Sequence, residues 1–220
     1  MDTGFNEIFG ASVQLLFVFV LVIFCWLGHR IICKIRKIEE QKLFHWAGII
    51  KPTAPWKEVA KLIAILIAVH FSINGIEWIL GLSGGLNELM ETVPVAELAI
   101  IEPAPMALCA GIAYAFLRTG GAEELLFRGV FFTRLVHWFG FLPANILQGV
   151  IFALLHNAII YLALPNAPLW IHVDLFVRIT ILSWLVGWYM IKRDRGSIFL
   201  PWICHGCANL FTFLSFFIER

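Results

Sequence analysis

Two carboxylates and an arginine stand together in a chain that is otherwise mostly apolar. The stretch "EELLFR" holds Glu123, Glu124 and Arg128. On a helix, Glu124 and Arg128 lie four residues apart on one face and can form an ion pair, which lowers the cost of burying both charges. Glu123 points about 100° away from that pair. A structural pair needs only one carboxylate, so Glu123 is the group left over for chemistry.

Two further stretches carry histidines at helical spacing. In "FALLH", Phe152 lies one turn before His156 and is placed to pack against the imidazole and orient it. In "HGCAN", His205 and Asn209 share a helix face, and the small residues between them allow a close approach of another helix. Two hydrogen-bonding side chains aimed together inside a membrane could stabilise an oxyanion, or they could bond to a neighbouring helix. The residues alone leave both possibilities open.

The composition indicates that lipid is the solvent of this chain. Of 220 residues, 60% are hydrophobic and only 14% are charged, whereas a soluble domain carries about 25% charged residues. Several apolar runs reach the roughly 20 residues that cross a bilayer. The net charge of +1 gives no basic tract for nucleic acid, and five scattered cysteines do not make a disulfide framework. We therefore predict an all-α polytopic membrane protein.

Hydropathy and helix breakers divide the chain into about seven (six to eight) transmembrane helices around an intramembrane polar cavity. We expect a single membrane-embedded domain over 1–220, with a first span that is retained rather than removed as a signal peptide. Glycines and prolines mark the expected breaks at Gly120-Gly121, Pro143, Pro165-Asn166 and Pro201. The predicted spans lie near 8–28, 59–80, 104–118, 120–139, 143–164, 168–191 and 198–218.

The charges between these spans conflict with a count of seven. Basic residues follow the first span and recur at 192–195, and both segments look cytoplasmic by the positive-inside rule. Seven simple crossings would put them on opposite sides of the membrane. One segment must be miscounted or re-entrant, and 85–104 is the candidate. The N-terminus is expected outside.

Other ionisable residues within the spans have simpler interpretations. Asp174 and Arg178 lie four residues apart and are expected to pair on one helix face as a structural element. Isolated histidines in apolar helices are more often hydrogen-bonded packing residues than ligands. That interpretation covers His29, His45, His70, His137 and His172.

Taken in order and on separate helices, the three stretches resemble the CAAX prenyl endopeptidase and bacteriocin-processing family of intramembrane proteases, also called the Abi family. The family pattern is EExxxR, FxxxH and HxxxN or HxxxD, and all three parts are complete here. The resemblance covers the segment 104–218, which is the expected catalytic core. It implies that Glu123 is the base that activates a water, that His156 holds this water, and that His205 and Asn209 form the oxyanion site.

The resemblance also implies supporting residues and leaves the cofactor open. Glu124, Arg128 and Phe152 would support the catalytic groups. We expect that no cofactor is required. The alternative is a zinc ion held by Glu123, His156 and His205, because a glutamate and two histidines can bind zinc. The HExxH signature of many zinc hydrolases is absent from the sequence.

By this resemblance, the protein is expected to be an integral multi-pass endopeptidase, in the cell (inner) membrane if prokaryotic. Its partners would be the lipid bilayer and a peptide or prenylated-protein substrate, such as a CAAX tail or a precursor peptide. No nucleic-acid partner is expected. A non-catalytic membrane immunity factor or chaperone, or a transport protein, is the alternative from another class.

Two other chemistries are weaker interpretations. "GLSG" around Ser83 matches the short nucleophile pattern of rhomboid proteases, but it lies in a glycine-rich connection typical of turns. Cys204 and Cys207 form a CxxC around His205, yet the sequence has no second CxxC. We interpret these cysteines as small apolar residues that only fill space between helices.

Overall fold

The computed structural model describes residues 3–82 and 94–219, and within these ranges the regular structure is entirely helical. Ser83 lies outside the described residues. The predicted all-α polytopic class is confirmed. The helices are α1 (Thr3–Arg36), α2 (Leu43–Trp46), α3 (Trp56–Ile79), α4 (Pro94–Ala99), α5 (104–139), α6 (Phe141–Ala163), α7 (Leu169–Lys192) and α8 (Phe199–Glu219).

Five of the described helices are long and apolar enough to cross a membrane by length and composition: α1, α3, α6, α7 and α8. The sixth long segment, α5, is interrupted by charged residues and by two wide π-helical stretches, Tyr114–Gly121 and Leu125–Phe132. The five candidate spans are one fewer than the predicted minimum of six, and α5 is the sixth long segment of the described residues.

The helix break expected at Gly120-Gly121 is absent, so the predicted spans 104–118 and 120–139 are one helix. Both glycines lie within the first π-helical stretch of α5. Glycine permits a break without forcing one. Within a membrane every backbone group needs an internal partner, which favours a continuous helix. The first reversal after residue 104 comes instead at Gly140, whose φ of 77° favours glycine and separates α5 from α6.

Joining these two spans resolves the conflict between the basic segments. When α5 is counted as one crossing beside the five candidate spans, the crossings alternate so that the connections 37–55 and 193–198 lie on the same side, which we call the basic face. They are bonded directly: Ile198 N–H donates to Gly48 O (3.0 Å), and Ser197 Oγ donates to Ile50 O (2.9 Å). Asp194 Oδ1 accepts the N–H of Ala54 at 2.8 Å. The structure therefore identifies a miscount at Gly120-Gly121, whereas residues 85–93 of the suspected segment 85–104 lie outside the described residues.

The core is densest beneath the basic face. There Val22 of α1, Trp46 of α2, Phe132 of α5 and Met190 of α7 are buried in one cluster. Elsewhere large apolar side chains such as Phe24 point outward, as expected when lipid is the solvent. The core thus fixes α1, α5 and α7 at one end of the bundle.

The predicted Asp174–Arg178 pair is present, and it belongs to a larger polar cluster between α3 and α7. Arg178 Nε lies 3.2 Å from Asp174 Oδ2, and Arg178 Nη2 lies 2.6 Å from Glu77 Oε1. Arg178 Nη1 donates to Asn74 Oδ1 at 2.8 Å and lies 3.2 Å from His70 Nδ1. These contacts attach α3, which buries few of its side chains, to the rest of the bundle.

Candidate active site

The expected ion pair within α5 is present. Arg128 Nη1 lies 2.9 Å from Glu124 Oε1, and both side chains are almost fully buried. A short α-helical turn, Ala122–Glu124, carries the two carboxylates between the π-helical stretches. π turns inside α-helices frequently occur at functional sites, because they change the direction of side chains along a helix.

The helix α8 contacts α5 at its small residues, which brings His205 beside the ion pair. A Cβ on Gly120 would lie 3.2 Å from Gly206 N and 3.3 Å from Gly206 Cα. The two backbones therefore approach as closely as glycine allows. His205 Nδ1 lies 2.8 Å from Glu124 Oε1, the same oxygen that binds Arg128. Glu124 thus links α5 to α8.

His156 is oriented from its own helix, as its spacing from Phe152 predicts. The centroids of the two rings lie 4.4 Å apart, and His156 Nδ1 lies 2.9 Å from Phe152 O. A carbonyl oxygen only accepts, so Nδ1 carries the hydrogen and Nε2 is left facing α5.

Glu123 faces both histidines, away from the Glu124–Arg128 pair. Its Oε2 lies 3.8 Å from His156 Nε2 and 4.0 Å from His205 Nε2. This oxygen is buried and has no hydrogen-bond partner among the residues that the structure describes. The side chains of Glu123 and His156 are each 30% exposed and that of His205 is 18% exposed. The three side chains are therefore partly accessible, and a gap separates Glu123 Oε2 from the two imidazole nitrogens.

Asn209 is attached to the helix of Glu123 through a residue that the sequence interpretation missed. Its Nδ2 donates to Thr119 Oγ1 at 2.7 Å. Within the described ranges no hydrogen bond joins Asn209 to Glu123 or His156. Thr119 lies four residues before Glu123, a spacing that could have identified it.

The sequence interpretation also missed three buried polar residues behind Arg128. Arg128 Nη2 donates to Ser183 Oγ at 2.8 Å, and Ser183 bonds in turn to Gln148. Gln148 lies 3.1 Å from the amide of Asn145. Asn145 and Gln148 are three residues apart in a largely apolar helix, and this spacing could have indicated a buried polar contact.

Glu123, His156 and His205 match the two-histidine, one-carboxylate donor set of catalytic zinc sites, and their polar atoms lie farther apart than the donors on a bound zinc. Donors on a tetrahedral zinc at about 2.0 Å lie roughly 3.3 Å apart, whereas Glu123 Oε2 lies 3.8 and 4.0 Å from the two imidazole nitrogens. Across residues 3–82 and 94–219, no group of three or more His, Cys, Asp or Glu is arranged to hold a metal ion. Cys204 and Cys207 are both free thiols.

Comparison with known proteins gives one match. The family model described as type II CAAX prenyl endopeptidase, Rce1-like, matches residues 105–211. No curated protein and no solved structure gives a significant match. The matched segment contains "EELLFR", "FALLH" and "HGCAN" together with Thr119 and the polar residues behind Arg128. Residues 105–211, which hold the whole candidate site, are similar to the Rce1-like family of type II CAAX prenyl endopeptidases, and this similarity supports a membrane protease in general.

Proposed function

We propose that the chain is an intramembrane endopeptidase in which Glu123 activates the water that hydrolyses a peptide bond. The observation that carries the proposal is the buried, unpartnered Oε2 of Glu123 between two imidazole nitrogens at 3.8 and 4.0 Å. Such separations are too long for direct hydrogen bonds, but an oxygen atom about 2.8 Å from each group would bridge them. The gap therefore suits a water, and a carboxylate beside it suits general-base catalysis.

The hydrogen bonds at Nδ1 restrict what each histidine can do. His156 gives its Nδ1 hydrogen to Phe152 O, and His205 gives its own to Glu124, whose carboxylate is paired with Arg128. If both rings were neutral, both Nε2 atoms would be acceptors. A water has two hydrogens, yet it would then face three acceptors. A proton on one of the three groups would give the water one donor beside two acceptors.

Charge balance assigns that proton to His205 in our proposal. His205 lies between the carboxylates of Glu123 and Glu124, whereas His156 contacts only Glu123. With His205 as imidazolium, two carboxylates are balanced by one guanidinium and one imidazolium. His205 Nε2–H can then donate to an oxyanion, and His156 Nε2 remains an acceptor for the water.

The proposed reaction uses these groups in turn. Glu123 takes a proton from the water as its oxygen bonds to the carbonyl carbon of the substrate. The resulting oxyanion accepts the Nε2–H of His205 and the second N–H of Asn209, whose first is bound to Thr119. Glu123 then passes the proton to the leaving nitrogen, and the C–N bond breaks. One product gains a carboxyl group and the other an amino group.

The proposed substrates are membrane-associated peptides, with prenylated CAAX tails and precursor peptides as the two classes. The family description supports the first class. The partial exposure of Glu123 and His156 inside a bundle of apolar helices supports a substrate that arrives from the bilayer.

A cleavage assay on the purified protein tests the proposal. The probe is a farnesylated CAAX peptide with a fluorophore and a quencher on either side of the scissile region, beside its unprenylated counterpart. We expect Glu123→Gln and His156→Gln to lower kcat by about 10²–10⁴-fold, since each removes a group that contacts the water. Glu97→Gln, at an exposed carboxylate in α4, is the control. Full activity of the Glu123 variant would refute the mechanism.

Metal removal tests the alternative cofactor. Because the donor spacing does not suit zinc, we expect incubation with a chelator to leave kcat unchanged for wild-type protein. Loss of activity on chelation, with recovery on adding zinc, would contradict the proposed water bound by three side chains. It would instead indicate a metal site on Glu123, His156 and His205.

A further inference from the structure

A directed series of hydrogen bonds continues from Arg128 on the side away from Glu124. Arg128 Nη2 donates to Ser183 Oγ (2.8 Å), and Ser183 Oγ donates to Gln148 Oε1 (3.0 Å). A guanidinium has no acceptor, so the hydroxyl of Ser183 must accept from Arg128 and direct its own hydrogen to Gln148. The hydrogen bonds can therefore run only from Arg128 through Ser183 to Gln148.

The series ends on the backbone of α7, which anchors it. Gln148 Nε2 donates to Ser183 O (3.0 Å) and to Asn145 Oδ1 (3.1 Å), and Asn145 Nδ2 donates to Trp184 O (2.9 Å). Asn145 and Gln148 are fully buried and Ser183 nearly so. Water does not replace these bonds at such positions, so each side chain depends on its neighbour for its orientation.

Glycines make room for this arrangement where α6 crosses α7. A side chain on Gly187 would collide with the amide of Asn145, and a Cβ on Gly149 would lie 3.2 Å from Thr180 O. The ring of Phe152 covers the other face of Arg128, with its centroid 4.2 Å from Cζ. The guanidinium is thus fixed by Glu124, Ser183 and Phe152 from three helices.

Arg128 and His205 share one oxygen, Glu124 Oε1, at 2.9 and 2.8 Å. A guanidinium that loses its contact with Ser183 can move, and the shared oxygen moves with it. We propose that Ser183 and Gln148 are positioning residues for peptide hydrolysis, which set the orientation of His205 through Arg128 and Glu124. This inference rests on the proposed function of His205.

Ser183→Ala provides the test, because it removes the hydroxyl with little change in volume. We expect kcat to fall about tenfold to a hundredfold, as when the outer partner that orients a ligand histidine is lost, while KM stays within about twofold. Ser183→Thr keeps the hydroxyl and should restore most of the rate. Thr180→Val is the matched control: Thr180 lies one turn away on α7, and its buried Oγ1 has no hydrogen-bond partner in the described ranges.

A second measurement separates positioning from activity and from stability. In protein labelled with ¹⁵N-histidine, the ring nitrogens of His205 are assigned by their loss in His205→Gln. We expect these two resonances to shift in Ser183→Ala and not in Thr180→Val. A role confined to holding α6 and α7 together would lower the unfolding temperature and leave the His205 resonances in place.

Unchanged His205 resonances in a folded Ser183→Ala protein would overturn the proposal, whatever the rate. Equal losses of kcat in Ser183→Ala and Thr180→Val would do the same. If the wild-type protein cleaved neither peptide, the proposed function would fall, and the His205 resonances would still decide whether Ser183 orients this ring. Should Ser183→Ala fail to fold, Gln148→Met interrupts the series one residue further along, and the same shift is expected.

Discussion

Glu123 and Glu124 are adjacent residues in opposite environments. Glu124 is almost fully buried, paired with Arg128 and bonded to His205, whereas Glu123 is partly exposed and its Oε2 faces the Nε2 atoms of His156 and His205. Burial of an ion pair at membrane depth is tolerable only while both charges remain. We therefore expect neutralisation of Glu124 to lower stability and neutralisation of Glu123 to lower catalysis.

Glu124→Gln and Glu123→Gln separate these consequences. Neutralising Glu124 leaves the buried Arg128 charge without a counter-charge, so we expect the free energy of unfolding to fall by about 3 kcal/mol. Glu123→Gln should change it by under about 0.5 kcal/mol while lowering kcat about 10²–10⁴-fold. Unfolding of the detergent-solubilised variants by denaturant measures both. Equal destabilisation of the two variants would contradict this division of roles.

At the scale of the elements, the site depends on how closely α5 and α8 approach. α5 supplies Glu123 and Glu124, and α8 supplies His205 and Asn209. Gly120 and Gly206 face each other at the crossing, and Trp202 Nε1 donates to Phe116 O beside it. A side chain at this crossing would separate the carboxylates from His205, and small displacements of catalytic groups are costly in rate.

Gly120→Ala is the variant that tests this crossing. Its Cβ would lie 3.2 Å from the backbone N and 3.3 Å from the Cα of Gly206 in α8, backbone atoms that cannot turn away. We expect kcat to fall about a hundredfold, because α8 must shift and take His205 with it. Gly75→Ala is the control, since a Cβ on Gly75 in α3 meets nothing within 4 Å. Equal activity of the two variants would show that the crossing does not position the site.

For the whole molecule, six crossings place both basic connections on one face. The contacts of Gly48 with Ile198 and of Ala54 with Asp194 hold this face together. By the positive-inside rule we expect this face in the cytoplasm and the connection between α6 and α7 on the other side. α5, α6 and α8 carry the site between the two faces.

Labelling of single cysteines tests this topology. In a variant without the five native cysteines, we place one cysteine at Lys42, Arg195 or Asn166, all of which are exposed. A membrane-impermeant maleimide should label Lys42→Cys and Arg195→Cys from the cytoplasmic side and Asn166→Cys from the opposite side. Labelling of the Lys42 and Arg195 positions from opposite sides would contradict this topology and favour seven crossings.

The sequence by itself determined the class of the protein and the contacts within single helices. Its apolar composition predicted a helical membrane bundle, because a chain with so few charges cannot cover a water-facing surface. The spacing of Glu124 and Arg128, and of Phe152 and His156, predicted two contacts that the structure contains. Both follow from the period of the α-helix, which depends only on neighbours in the chain.

Only the tertiary structure decided what lies between helices. It made α5 continuous through Gly120-Gly121, because α8 fills the space beside these glycines. It also placed Ser183 against Arg128, 55 residues apart in the chain, and attached Asn209 to Thr119. The rotation of each helix and the angle at which two helices cross depend on which small residues meet between them. The spacing of residues within one helix does not encode those meetings. The gap between Glu123 and two imidazoles from different helices is therefore a property of the packed bundle.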